Sequence, residues 1–462
     1  MKKHDLLKVL GITFAIVVIL SWIIHSGAFS GSEFVSSTKT NPIGLYDITL
    51  LPIVSIVSFI QYGLLFLAIG GFYGVLNGTG AYKSLLDKIV NKVKNKPKRF
   101  LVITISVLSL LSSLTNLTTA LFILVPFLVA IIMLLGYDKL TAFATTIGSI
   151  IVGQIGSTFG FTISGQIRHY LSLSMTYDLF IRIVLLVITT FLLIMVVLKK
   201  GKQITKKSEI KKTIIPLYEN NDKKKSKTPL IIIGIITFIF ALIGMYNWYY
   251  GLEVEIFNKL HTTITSFDIK GYPLLSNIIG STSGIGYFTN YDLVILLVLA
   301  SLLLGWIYSI KFDDIIDNFA NGAKQMLKPA FYVSIASVIY SFVYFNATDN
   351  FVNTIIGTFG KDNAITIPLK SIIMSVFYND FANLIGYNYA LIASSASVNI
   401  FAVILPAIYG LVMLIAPTSI FLIGGLAYLD IPYTKWVKYI WKFILIILVA
   451  VLAIGLIMIK FL

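Results

Sequence analysis

The sequence predicts an all-α polytopic membrane protein built from two inverted-topology repeats, each with a re-entrant hairpin and a discontinuous transmembrane helix. Three observations carry this expectation. Of the 462 residues, 57% are hydrophobic and 12% charged, with a mean hydropathy of +0.90, where a soluble domain has roughly 25% charged residues. Several apolar stretches are interrupted by clusters of small polar residues, and Lys and Arg gather at alternate ends of the apolar segments.

The N-terminal MKKHDLLKVLGITFAIVVILSWII outruns the roughly 7–15-residue core of a signal peptide, so it reads as a retained first helix, from about Leu6 to Ala28. Residues 29–57 are polar, then amphipathic, and carry only Lys39. A second span from about Phe59 to Leu76 stops at Asn77-Gly78-Thr79-Gly80. Seven Lys and Arg between Lys83 and Arg99 then mark an amphipathic helix on the cytoplasmic surface.

Stretch 101–160 organises the rest. About 11 apolar residues from Leu101 reach the polar cluster Ser112, Ser113, Thr115, Asn116, Thr118, Thr119, and the chain is apolar again from Ala120 to Leu135. Such an arm falls short of the about 20 helical residues that cross a bilayer, so 101–136 is expected to be a re-entrant hairpin. The next span, 141–172, breaks at Gly156, Ser157, Thr158 and Gly160. Backbone freed there cannot face lipid, where each unpaired group costs several kcal/mol, so it must line protein or a watery cavity. A span at 179–198 follows. Eleven Lys and no Arg then fill residues 199–228, read as a solvated cytoplasmic linker.

The second half is expected to have spans near 230–249 and 292–310, an inner amphipathic helix at 311–328 and a span at 330–346. A second hairpin, 365–396, turns at Tyr378-Asn379-Asp380-Phe381-Ala382-Asn383. A second broken helix, 399–429, breaks at Ala416-Pro417-Thr418-Ser419, and a last span starts near Val437. The organisation is thus 1–43, first helix and outer segment; 44–198, first inverted repeat; 199–228, basic linker; 229–310, connecting spans; and 311–462, second inverted repeat. Nine spans and two hairpins put most Lys and Arg on one side, with a cytoplasmic N-terminus in the plasma (inner) membrane. Residues 46–91 and 312–356 repeat one order of elements from opposite sides, the pattern of inverted repeats.

With no cysteine, disulfides and thiolate metal sites are excluded, and His4, His25, His169 and His261 have no metal-ligand spacing. The charge of +16 is placed for membrane topology and implies no nucleic-acid partner. Secondary transporters bind solutes where broken helices meet at the midplane, because helix N-termini suit carboxylates, and C-termini and loosened carbonyls suit cations. One half-site is therefore expected from Ser112, Ser113, Thr115, Asn116, Gly156, Ser157 and Thr158, the other from Asn379, Asp380, Asn383, Pro417, Thr418 and Ser419. Asp380 is the sharpest, since a mid-membrane carboxylate is expensive and usually functional. Arg168, His169, Arg182 and Lys370 fall near outer rims and read as snorkelling or loop residues. Trp248, Trp306 and Trp436 read as interfacial belts.

The segments SWIIHSGAF (21–29), FLAIGGFYGVLNGTGAYKSLLDKIV (66–90), LVPFLVAIIMLLGYD (124–138), GSTFGF (156–161), FDDIIDNFANGAKQMLKPA (312–330) and LIAPTSIFLIGGLAYLDIPYTKWVKY (414–439) resemble the YfcC-like carriers, grouped with the C4-dicarboxylate anaerobic carrier family in the ion-transporter superfamily. The resemblance implies two inverted repeats with paired hairpins, an elevator-like transport domain and a homodimer held by scaffold helices. Its members often carry a Glu-bearing, Gly-rich first turn, where this chain has SSLTNLTT, and a Gly/Ser-rich second turn, where it has FYNDFANLIGYNYA.

The expected function is secondary active transport of a small organic anion (carboxylate) or amino acid, either coupled to Na⁺ or H⁺ or working as an exchanger. No other cofactor or metal is expected, and no enzymatic activity, since no catalytic pair lies within the membrane. A basic amino-acid exchanger of the arginine/ornithine type is the alternative in this class, and a transporter-like receptor without transport the alternative outside it.

Overall fold

The computed structural model describes the chain except residues 1–4, 32, 38, 175, 204–213, 222–224, 344–349, 379, 396 and 462, and the side chains of 459–461. Among the described residues eight helices are long and apolar enough to cross a membrane: Asp5–Ile23, Ile60–Gly78, Pro97–Thr115, Leu179–Lys200, Thr228–Met245, Asn290–Ile307, Phe312–Val343 and Tyr433–Met458. The peripheral ones turn apolar side chains outward, as Ile231, Ile235 and Ile239 do on Thr228–Met245. At the centre, every residue of Ser149–Ile155 is buried, as is nearly all of Val398–Val412. A helix hydrophobic all round belongs in an interior.

Both interrupted helices are present. The first runs through Lys139–Phe143, a π-helical turn at Ala144–Gly148 and Ser149–Ile155, and resumes as a π-turn at Phe161–Gly165 followed by Gln166–Leu171. The second is Val398–Val412, then Ile420–Tyr428. Between them stand Thr366–Phe377 and Phe381–Ala393. At about 1.5 Å per residue neither reaches the roughly 30 Å of a bilayer core. The packing recurs across the halves: Pro97–Thr115 lies on Ser149–Ile155 as Thr366–Phe377 lies on Val398–Val412, and Leu179–Lys200 and the C-terminal helix cover the respective broken helices.

Two faces collect the chain reversals. Asp5 accepts from Thr434, Asp138 N–H donates to Lys202 O, and Lys225 Nζ donates to Tyr308 O at one end. At the other end Gly27 bridges Asn350 and Thr354 donates to His25 O. Ile60–Gly78 crosses Phe312–Val343 at backbone contact, since a Cβ on Gly74 would stand 2.0 Å from Asn318 O.

Four elements differ from the sequence reading. Pro97–Thr115 has 19 residues, because Ser112 and Ser113 stay helical and only Asn116, in the left-handed conformation at φ 53°, ends it. Lys311–Lys328 and the span after it form one 32-residue helix, Phe312–Val343; Pro329 deprives it of a single backbone bond and no stop residue adjoins it. The fold is not wholly helical: Gly27–Ser30 pairs antiparallel with Glu33–Ser36 around Gly31 at φ 62°, the aromatic and β-branched residues flanking a glycine turn. Finally, the linker is not solvated throughout. Ile215 and Leu217 are buried, Leu217 N–H donates to Gln325, Asn77 Nδ2 donates to Leu217 O, and Tyr428 donates to Pro216 O. The apolar IIPL island inside the lysine run accounts for this.

Candidate functional site

Polar side chains inside an apolar interior find partners or line a cavity, and here they do both. Behind the cavity wall, the first polar cluster is bonded to the first break. Ser112 Oγ donates to Ile150 O at 2.6 Å, Ser113 Oγ to Gly156 O at 2.6 Å, and Ser113 and Thr158 hydroxyls lie 3.1 Å apart. Ser157 Oγ donates to Asn116 Oδ1 at 2.6 Å, and Thr115 bonds back to Leu111 O. Gly156 is needed, since a Cβ there would sit 2.5 Å from the Leu186 backbone nitrogen. In the second half Thr418 Oγ1 donates to Val376 O at 2.7 Å, tying break to turn, and Pro417 is half-buried beside it.

In front lies a cavity of about 400 Å³. The first turn (Asn116, Thr118, Thr119), the flanks of the first break (Gln154, Thr162), the second turn (Asp380) and the second break (Ser419) all line it, with Gln61, Tyr62 and Asn290 from the surrounding helices. Of the predicted residues, the structure thus brings Asn116, Asp380 and Ser419 to the cavity wall. Ser112, Ser113, Thr115, Gly156, Ser157, Thr158, Asn383, Pro417 and Thr418 stand behind it, and Asn379 lies outside the described residues.

Asp380 caps Phe381–Ala393: its carboxylate accepts from Asn383 N–H at 2.8 Å and Asn383 Nδ2 at 2.6 Å. It is the one charged side chain among the described lining residues. Residues Phe161, Phe381 and Ile420, which open three helical segments, also line the cavity, as do Gln154 and Met413 at the ends of the segments entering the breaks. Positive and negative helix ends therefore face one space. Gln154, whose Nε2 donates to Thr118 Oγ1 at 2.6 Å, escaped the sequence reading; a lone amide two residues before a break was its signal.

Three cations and one tryptophan are not where the sequence reading put them. Arg168, Arg182 and Lys370 are 6%, 3% and 3% exposed and do not snorkel. Arg182 grips Asp178 through Nε and Nη2 at 2.7 and 2.8 Å and also donates to Ser157 O and Ala402 O. Arg168 donates to Thr158 O, and Lys370 pairs with Asp362 at 2.6 Å. Trp436 is fully buried and donates to Leu414 O at 2.7 Å. For Arg168, Arg182 and Trp436, backbone carbonyls freed by the breaks supplied acceptors that hydropathy does not register.

The family model described as C4-dicarboxylate anaerobic carrier (DcuC) matches residues 4–461. Among solved structures, the crystal structure of the Alcanivorax borkumensis YdaH transporter is similar over 99% of this chain and 98% of its own, with a TM-score of 0.40 and 13% identity. No curated protein matches the chain.

Proposed function

We propose, since the chain belongs to the C4-dicarboxylate anaerobic carrier (DcuC) family, that it is a secondary carrier of small carboxylates working by alternating access from the central cavity. The observation that carries the reading is the meeting of both polar turns, the second helix break and the flanks of the first on one space of about 400 Å³. Helix starts at Phe161, Phe381 and Ile420 provide partial positive charge for a carboxylate, and the segment end at Met413 provides partial negative charge for a cation. The recurring packing of the two halves supports inverted repeats with hairpins that dip to the cavity and return, and the lysine-rich face supports a cytoplasmic N-terminus. An elevator-like displacement, Na⁺ or H⁺ coupling, or exchange are the finer forms of this reading.

One observation favours a second reading. Asp380 faces the cavity with no Lys or Arg among the described lining residues, so a substrate bearing a positive group beside its carboxylate suits the site better than a bare dianion. An amino acid, in particular a basic one exchanged for another, has that shape. Proteoliposomes loaded with each counter-solute and offered labelled succinate, aspartate, arginine or ornithine, with and without a Na⁺ or pH gradient, test both. Uptake of succinate alone sustains the first reading, uptake of arginine the second. Ligand binding with no uptake of any of the four would overturn carrier function and leave a receptor.

A further inference from the structure

The two breaks are satisfied by different chemistry. In the first, all five carbonyls from 156 to 160 already have a protein donor. Gly156 O takes Ser113 Oγ, Ser157 O takes Arg182 Nη1 at 3.2 Å, and Thr158 O takes Arg168 Nη1 at 3.2 Å and Ser164 Oγ at 2.9 Å. Phe159 O takes Tyr246 Oη at 2.7 Å, and Gly160 O takes Ser164 Oγ and Gly165 N–H. In the second break Leu414 O takes Trp436 Nε1 and Ile415 O takes Tyr433 Oη, while no donor among the described residues reaches the carbonyls of Met413, Pro417 or Thr418.

The donors occupy matching places. Arg182 is the fourth residue of Leu179–Lys200, and Trp436 the fourth of the helix that starts at Tyr433. Each reaches back to the break of its own half, one with a guanidinium and the other with an indole. Arg182, held by Asp178, and Arg168 bring two guanidinium groups onto the carbonyls of the first break, whereas the second half presents Asp380 to the cavity. Loosened carbonyls are good cation ligands, but a fixed guanidinium in hydrogen-bond reach fills that role and repels a second cation at short range.

We infer that Arg182, assisted by Arg168, is the permanent cation of the first break, so that an exchangeable cation is held only in the second half, beside Asp380. That cation is either the coupling ion or the positive group of the substrate, and in this respect the inference rests on the carrier reading. The geometry makes Arg182 a positioning residue that determines how many ions the protein takes.

Equilibrium binding of ²²Na⁺ to the purified full chain in detergent tests this. In the absence of solute the wild type is expected to bind one Na⁺ per chain, and Asp380→Asn none. Arg182→Gln is expected to gain one site relative to the wild type, whereas Arg182→Lys, which keeps the charge, gains none. A wild-type count of two, a sodium site that survives Asp380→Asn, or a monodisperse Arg182→Gln protein with no added site would each overturn the assignment. Should Arg182→Gln fail to fold, the wild-type and Asp380→Asn counts decide by themselves. Vesicles of the same preparations offered the four labelled solutes separate the two readings, because absent uptake with the expected sodium counts removes the carrier and leaves the fixed cation standing.

Discussion

Replacing Gly153 by alanine isolates the contact on which the first half of the site is assembled. A Cβ at Gly153 would lie 2.3 Å from Ser109 O and 2.7 Å from Ser112 Cβ, about an ångström closer than packed atoms tolerate. Because Ser109 O is backbone, relief requires Pro97–Thr115 and Ser149–Ile155 to separate. Overpacking of this kind costs about 1–3 kcal/mol, partly offset by the roughly 0.5–1 kcal/mol an alanine gains over glycine inside a helix. Gly234→Ala is the matched control, since nothing lies within 4 Å of a Cβ there. The difference between the two variants is then the clash alone. With an unfolding entropy of about 2.1 cal/mol/K per residue over 462 residues, each kcal/mol moves Tm by about 1 °C. Thermal unfolding in detergent should therefore place Gly153→Ala about 1–3 °C below Gly234→Ala. Uptake should fall with it, since Gln154 and Asn116 are carried on the displaced helices. A Gly153→Ala protein as stable and as active as Gly234→Ala would refute the close-packing argument.

Asp380→Asn keeps a good helix cap, so stability should change by less than about 0.5 kcal/mol, while uptake of amino-bearing solutes drops at least tenfold in proteoliposomes. Lys370→Met strands the Asp362 carboxylate in the interior and should cost about 3–5 kcal/mol, read as a lowered unfolding temperature that adding Asp362→Asn partly restores. Thr418→Val removes the bond to Val376 O and should cost about 1 kcal/mol. Because the chain has no cysteine, a single Ala382→Cys reports the loosened turn as faster maleimide labelling in the Thr418→Val background.

What the sequence made legible was the set of places where an apolar run carries groups that need partners. Ser112 to Thr119, Gly156 to Gly160, Asp380 and Ala416 to Ser419 stood out because hydrocarbon cannot satisfy them, and they converge on one region of the fold. Hydropathy was a poor guide to what depends on a neighbour elsewhere in the chain. Arg168 and Arg182 were assigned by depth alone, but their acceptors are carbonyls of a break about ten and 25 residues earlier. The IIPL island was masked by the lysines around it. The division between Asn116, which faces the cavity, and Ser113, which faces the break, follows from which side of one helix end each residue occupies, and a one-dimensional cluster does not specify that.

The contact between the two interrupted helices limits how the molecule can change shape. At Gly410 a Cβ would meet the Ile155 backbone nitrogen at 2.6 Å, so the halves interlock at the centre like meshed gears. A chimera joining halves from two relatives would need a small residue at this crossing, as at Gly74 against Asn318, before anything else about its site mattered.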